Sequence, residues 1–255
     1  MKKGYFYGTP DGNENLVLDI LSNTKVNSYK TSSIPFTEFW LSKNRKVNTE
    51  VIHKIDSDID LESADKCFEF PVYATNEDGR NIGRPSMTDL MIITEKYNIA
   101  IEGKFTENLY ETIKEWKAEA SENSEKLNVL NSWYRYIEGY CDIDEKDIEK
   151  IEENVVYQFL HRTASACYGC KKNNKIPVVI YQLFYDSKDP KSKKHQEEVK
   201  FCLEKFASLL KFNNRIKFLI ELTPITNFNE VKESYSWAKA DLFSPMKTKT
   251  VYKFN

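Results

Sequence analysis

Arg84-Pro-Ser-Met-Thr-Asp89-Leu-Met-Ile-Ile-Thr94-Glu-Lys-Tyr-Asn-Ile99-Ala-Ile-Glu102-Gly-Lys104 is the stretch from which the rest of the chain can be read. Two short apolar runs flank the polar segment Glu95 to Asn98, the pattern of a β-hairpin. Three charged residues, Asp89, Glu102 and Lys104, stand where a buried sheet would otherwise hold none. Parity decides where they point. With an even-length turn placing Thr94 opposite Ile99, Met91 pairs with Glu102 and Asp89 with Lys104. Opposed residues on antiparallel strands share a face, about 4.5–5.5 Å apart at Cβ. Successive residues alternate, so Asp89, Met91, Glu102 and Lys104 are expected on one side and Leu90, Ile92, Ile99, Ile101 and Phe105 on the other. A bulge or an odd turn would separate the set.

Acid-x-Lys alone is common in this chain, recurring at Glu115, Asp144, Asp186, Asp189, Glu198 and Glu230. Only Glu102 ends a buried-looking strand whose hairpin partner carries an aspartate. A plainer reading also fits these charges: both acids cap strand ends, and Lys104 pairs with one of them at the surface.

The grouping resembles the PD-(D/E)xK nuclease superfamily, with its restriction-endonuclease-like fold. Glu102-Gly103-Lys104 supplies the ExK element. Pro85 lies near Asp89 without adjoining it, so the PD element is loose. Asn13-Glu14-Asn15-Leu16-Val17-Leu18 resembles the first helix of such enzymes. Tyr157-Gln158-Phe159-Leu160-His161-Arg162-Thr163-Ala164-Ser165-Ala166 is similar to a helix of an uncharacterised bacterial family of the same fold. The resemblance implies hydrolysis of phosphodiester bonds, with nucleic acid (DNA first) as partner and Mg²⁺ or Mn²⁺ as cofactor. Asp89, Glu102 and the Gly103 carbonyl would hold the ion, hard oxygen donors of the kind such cations take. Lys104 would orient the attacking water or steady the transition state. Glu14 would add a contact from the first helix, with Glu38 as the alternative.

Gln158, His161, Arg162 and Ser165 fall at i, i+3, i+4 and i+7, a polar stripe on an otherwise apolar helix. So buried a stripe needs partners, and an active-site phosphate or water would supply them. Gln158 is then expected near the metal, with His161, Arg162 and Ser165 on substrate. Solvent is the alternative partner, and His161 also reads as a satisfied core histidine. Trp133, Tyr134 and Tyr136 offer rings for base stacking, although aromatics at this spacing commonly fill cores.

The chain has 255 residues, 40% hydrophobic and 30% charged, with a net charge of −2. That suits one α/β domain spanning 1–255, and the resemblance implies for it a restriction-endonuclease-like core, its mixed sheet flanked by helices, with a helical insertion over about 106–150. Helices are expected at Glu14–Leu21, Pro35–Lys43 and His195–Leu210, and strands at about 67–74, 87–94, 98–105, 176–185 and 215–222. No apolar run approaches a membrane span, and Met1 to Pro10 holds no apolar signal core, so a cytoplasmic location is expected. Cys167-Tyr-Gly-Cys170 lacks a second ligand pair and reads as helix packing, with Gly169 as a cap. The composition leaves open a homodimer, a catalytically silent nucleic-acid-binding module on the same fold, and a protein partner docking on the insertion through its acidic segment 142–153.

Overall fold

The computed structural model describes residues 5–6, 31–41, 45–118, 125–225 and 248–254. Strands β1 (Tyr5–Phe6), β2 (Asp65–Thr75), β3 (Asn81–Ile93), β4 (Tyr97–Lys104), β5 (Ile176–Asp186), β6 (Lys217–Ile225) and β7 (Lys249–Phe254) form one mixed sheet in sequential order. β2, β3 and β4 make an antiparallel meander, β4, β5 and β6 run parallel, and β7 returns antiparallel on β6. The helices are α1 (Ser33–Leu41), α2 (Arg45–His53), α3 (Ile113–Ala118), α4 (Lys126–Ile137), α5 (Ile148–Asn154), α6 (Tyr157–Cys167), α7 (Cys170–Asn173) and α8 (Pro190–Leu210). The chain is thus an α/β protein with helices on both faces of an open sheet. No helix among the described residues is long and apolar enough to cross a membrane.

Both faces are dry because the central strands are apolar on both sides, as parallel strands under helices must be. Val179, Tyr181 and Phe218 pack with Trp133 of α4, Phe159 of α6 and Phe206 of α8. Val178, Ile180 and Leu219 pack with Phe36, Phe39 and Trp40 of α1 and with Val51 and Ile52 of α2. α4 therefore belongs to the core, although its sequence position suggests an added insertion. β7 was not expected from the sequence. It is fastened through Thr250, whose Oγ1 donates to the buried Glu221 at 2.6 Å, while Lys54 reaches the same carboxylate at 2.6 Å.

The hairpin keeps the expected parity but not the expected register. Leu90 pairs with Ile101 and Ile92 with Ile99, two positions from the pairing read in the sequence. Thr94 and Tyr97 close a turn around Glu95 and Lys96, with the Thr94 amide donating to the Tyr97 carbonyl at 2.9 Å. That turn is shorter than the polar segment implied. Continuing the ladder by one step places Asp89 opposite Glu102.

A second departure matters more. Cys67 and Met91 face the α6 side, and Phe68 and Leu90 face the α1 side. Strict alternation would keep even residues on the α1 side, yet Val72 packs on the α6 side and Thr88 bonds to Arg162 of α6. Both strands change face at Glu69 and Asp89. Glu69 adopts the left-handed conformation, φ 49°, which an L-residue enters only at a cost. The kink re-aims the side chains beside it, as irregularities in strands do.

Candidate functional site

Glu102 and Lys104 close β4 with side chains only 3% and 7% exposed, and Lys104 Nζ lies 3.3 Å from Glu102 Oε1. Gln158 of α6 donates from Nε2 to the same oxygen at 2.7 Å. Arg162, one helical turn on, brings Nε to 2.6 Å from Glu102 Oε2. The N–H is not aimed along that line, so the contact is an ion pair more than a hydrogen bond. One buried carboxylate thus meets two cations and an amide, which offsets its desolvation.

Asp89 stands apart from this group. Its Oδ2 accepts from the Gly103 amide at 2.8 Å, and it lines a small cleft with Ser33, Phe36, Thr37, Phe68 and Glu69 on the α1 side. The three charges expected on one face are therefore split by the kink: Glu102 and Lys104 turn to α6, while Asp89 leans across the strand edge. Gly103 permits the close approach of α1, since a Cβ there would fall 2.7 Å from Phe36. The charges remain in electrostatic contact. Burial pushes the Asp89 carboxyl well above its ordinary range; Glu102 and Glu69 add to the rise, and Arg162 and Lys104 oppose it. Burial likewise pushes Glu69 up to about 7, against the pull of Arg162. Glu69 is the acid that the sequence reading missed. Between Phe68 and Phe70 it looks like the outward residue of an alternating strand, and nothing in the sequence announces its positive φ.

The polar stripe on α6 has partners, but they are protein groups. Arg162 Nη1 donates to Thr88 Oγ1 at 2.7 Å and to Ser86 Oγ at 3.3 Å, and Nη2 donates to the Met87 carbonyl. His161 Nδ1 lies 2.8 Å from Ser86 Oγ. Ser165 Oγ donates to the His161 carbonyl at 2.8 Å and lies 3.1 Å from Ser86 Oγ. The expectation of phosphate or water as partner is replaced by a clamp on β3. In this arrangement Arg162 and Ser165, both buried, hold β3 against α6. Of the rings expected to stack on bases, Trp133 is core and donates from Nε1 to Tyr157 Oη at 2.9 Å. Tyr136 Oη donates to the Tyr73 carbonyl at 2.9 Å, and Tyr134 packs against the same core. Glu14 lies outside the described residues, as does the side chain of Glu38.

The donor chemistry fits a hard divalent cation in part. Asp89 and Glu102 supply carboxylate oxygens, and the buried Gln158 Oε1 has no hydrogen-bond partner. Two carboxylates with a phosphate and waters are a common Mg²⁺ arrangement. Among the described residues no three His, Cys, Asp or Glu side chains gather closely enough to hold a metal. Arg162 also occupies part of the charge on Glu102 that a cation would meet.

A family model described as a domain of unknown function (DUF6946) matches residues 11–241. The chain belongs to the DUF6946 family. No curated protein and no solved structure matches it. The matched span takes in the β3–β4 hairpin, the kink and α6, so the whole candidate site lies within what defines DUF6946.

His161 gives this DUF6946 member a pH signature. Burial holds its imidazole well below the ordinary range, and the charges of Arg162 and Lys104 lower it further. The unfolded chain takes up a proton at this residue below about pH 6.5, and the native state does not. Its contribution to stability therefore falls as pH drops through that value. Asp89 and Glu69, both raised, act in the opposite sense over the acid range, so a single-residue comparison is needed. Relative to His161→Gln, the native chain is expected to lose about 1.4 kcal/mol per pH unit below about pH 6. Urea unfolding at pH 7.5 and pH 5 measures this, and parallel pH profiles for the two proteins would rule it out.

Proposed function

We propose that this protein hydrolyses phosphodiester bonds in nucleic acid, DNA first, in a metal-dependent reaction at a PD-(D/E)xK-type site on a restriction-endonuclease-like fold. One observation carries the reading. At the end of β4 the buried Glu102 carboxylate and the Lys104 ammonium lie 3.3 Å apart, with the Asp89 carboxylate 2.8 Å from the amide of the intervening Gly103. Asp89, Glu102 and the Gly103 carbonyl are the groups that would hold the ion, with the free oxygen of Gln158 beside Glu102. Bound there, a divalent cation supplies Lewis-acid polarisation of the phosphate and a more acidic water. Lys104 directs that water or meets charge developing on the phosphoryl oxygens, in a pocket where low dielectric strengthens the interaction. Arg162 fixes the Glu102 carboxylate, and Ser86 and Thr88 fix Arg162.

The test is nicking of supercoiled plasmid by the purified chain in Mg²⁺ or Mn²⁺. Open-circular product that disappears with EDTA is the expected result. A second reading, the catalytically silent binding module, is favoured by one contact: Arg162 lies 2.6 Å from Glu102 and supplies the positive charge that a metal would bring. DNA retention with no cleavage under any divalent metal would select it.

A further inference from the structure

Beside the candidate site opens a cleft of about 780 Å³, floored by Gln158, His161 and Arg162 and walled by Tyr110, Trp116 and Tyr157. Its size is that of a small-molecule site. Trp116 and Tyr157 stack with ring centroids 3.9 Å apart and planes nearly parallel at 11°, and Lys126 sits 5.0 Å over the Trp116 ring. Those rings are committed to one another. Tyr110 differs. Its ring lies 5.5 Å from the Lys104 ammonium, yet the residue is 61% exposed. One face of the ring thus covers the site's lysine and the other meets solvent at the mouth of the cleft. Arg84, exposed on β3, and Lys126 contribute positive charge to the same lining, and Glu111 and Glu125 negative charge.

Several large hydrophobic side chains are exposed among the described residues; what distinguishes Tyr110 is the ammonium behind its ring, and an aromatic face beside a cation is the pairing that single-stranded nucleic-acid sites use. A base stacked on the outer face of Tyr110 lies at the mouth of the cleft that Arg84 also lines. Bases within a duplex have no free face to offer, since each is already stacked on its neighbours. We propose that the cleft seats an unpaired nucleotide, stacked on Tyr110, so that the site takes single strands or frayed ends in preference to closed duplex. This rests on the nuclease reading for its catalytic meaning, though not for the binding it predicts.

Binding is measured by anisotropy of a fluorescein-labelled ten-residue oligo(dT) in EDTA, where no cleavage can occur, against a blunt hairpin duplex of equal length. The single strand is expected to bind at least tenfold more tightly. Stacking is worth about 1–3 kcal/mol per base, so Tyr110→Ala should weaken it roughly 5- to 150-fold, with Tyr110→Phe close to native. Because Tyr110 is exposed, the alanine variant should keep the native melting temperature, and that measurement accompanies the titration. Equal affinity for strand and duplex, or an unchanged affinity in Tyr110→Ala, would overturn the proposal. Plasmid cleavage in Mg²⁺ is scored separately and bears on the nuclease reading alone. Tyr110-dependent strand binding without any cleavage would leave this inference standing and remove that one.

Discussion

Arg162→Met is expected to destabilise the protein by about 3 kcal/mol or more, the range for breaking a buried ion pair from one side being about 3–5 kcal/mol. Methionine replaces the stem of the side chain but none of its charge. Glu102, with a side chain 3% exposed, would keep Lys104 and Gln158, which places the cost toward the lower end. Ser86, Thr88 and the Met87 carbonyl would each lose a donor on β3. At roughly 2–4 °C per kcal/mol for a domain approaching this size, the melting temperature should fall by about 6–12 °C. Adding Glu102→Gln to the variant removes the stranded charge, and part of the loss should return, since contacting residues couple strongly in double-mutant cycles. Were Arg162 instead a substrate group, as the helix stripe first suggested, Arg162→Met would leave stability near native and weaken only nucleic-acid binding. Thermal melts of the two single variants and the double variant separate these roles.

The sequence left the protein partners of Arg162 hidden for a reason that lies in the chain. The stripe at 158, 161, 162 and 165 was legible as buried and in need of partners, because apolar residues fill the rest of that helix. What the sequence could not show was who answers it. Ser86 and Thr88 stand more than 70 residues away, and they face α6 only because β3 changes face at Asp89. Without the kink, Thr88 would point with Leu90 toward α1 and Arg162 would need an external anion. The kink was itself invisible: Phe68-Glu69-Phe70 is a perfect period-2 pattern, and its one abnormal residue has no Gly or Asn to mark it.

Other features were accessible because they follow from local pattern. The apolar runs at 99–101 and 176–185 lie side by side as parallel strands, β4 beside β5. Their hydrophobicity on both faces demands helices above and below. The even parity of the hairpin turn survived a register error of two because side-chain direction depends on parity, not on the count. Hence Glu102 and Lys104 did share a face as expected, and Asp89, beside a left-handed residue, did not keep to it.

Lys104→Met is expected to lower the rate of the proposed metal-dependent cleavage about 10²–10³-fold, the effect typical of losing one preorganised electrostatic group in an enclosed site. It differs from Arg162→Met in what it leaves behind. Glu102 would still face Arg162 at 2.6 Å and Gln158 at 2.7 Å, so no carboxylate is stranded and the fold should be nearly as stable as native. Removing a cation 3.3 Å from that carboxylate also favours a divalent ion there, so metal affinity should hold or rise while turnover falls. Single-turnover cleavage across a range of Mg²⁺ concentrations measures both quantities at once: a depressed plateau with an unchanged or lower half-saturation point is the expected curve. A plateau within threefold of native would show that the ammonium takes no part in chemistry, whatever its position. A half-saturation point moved upward, with the plateau intact, would instead mean that Lys104 holds the acids in place for the ion and acts on the reaction only through them.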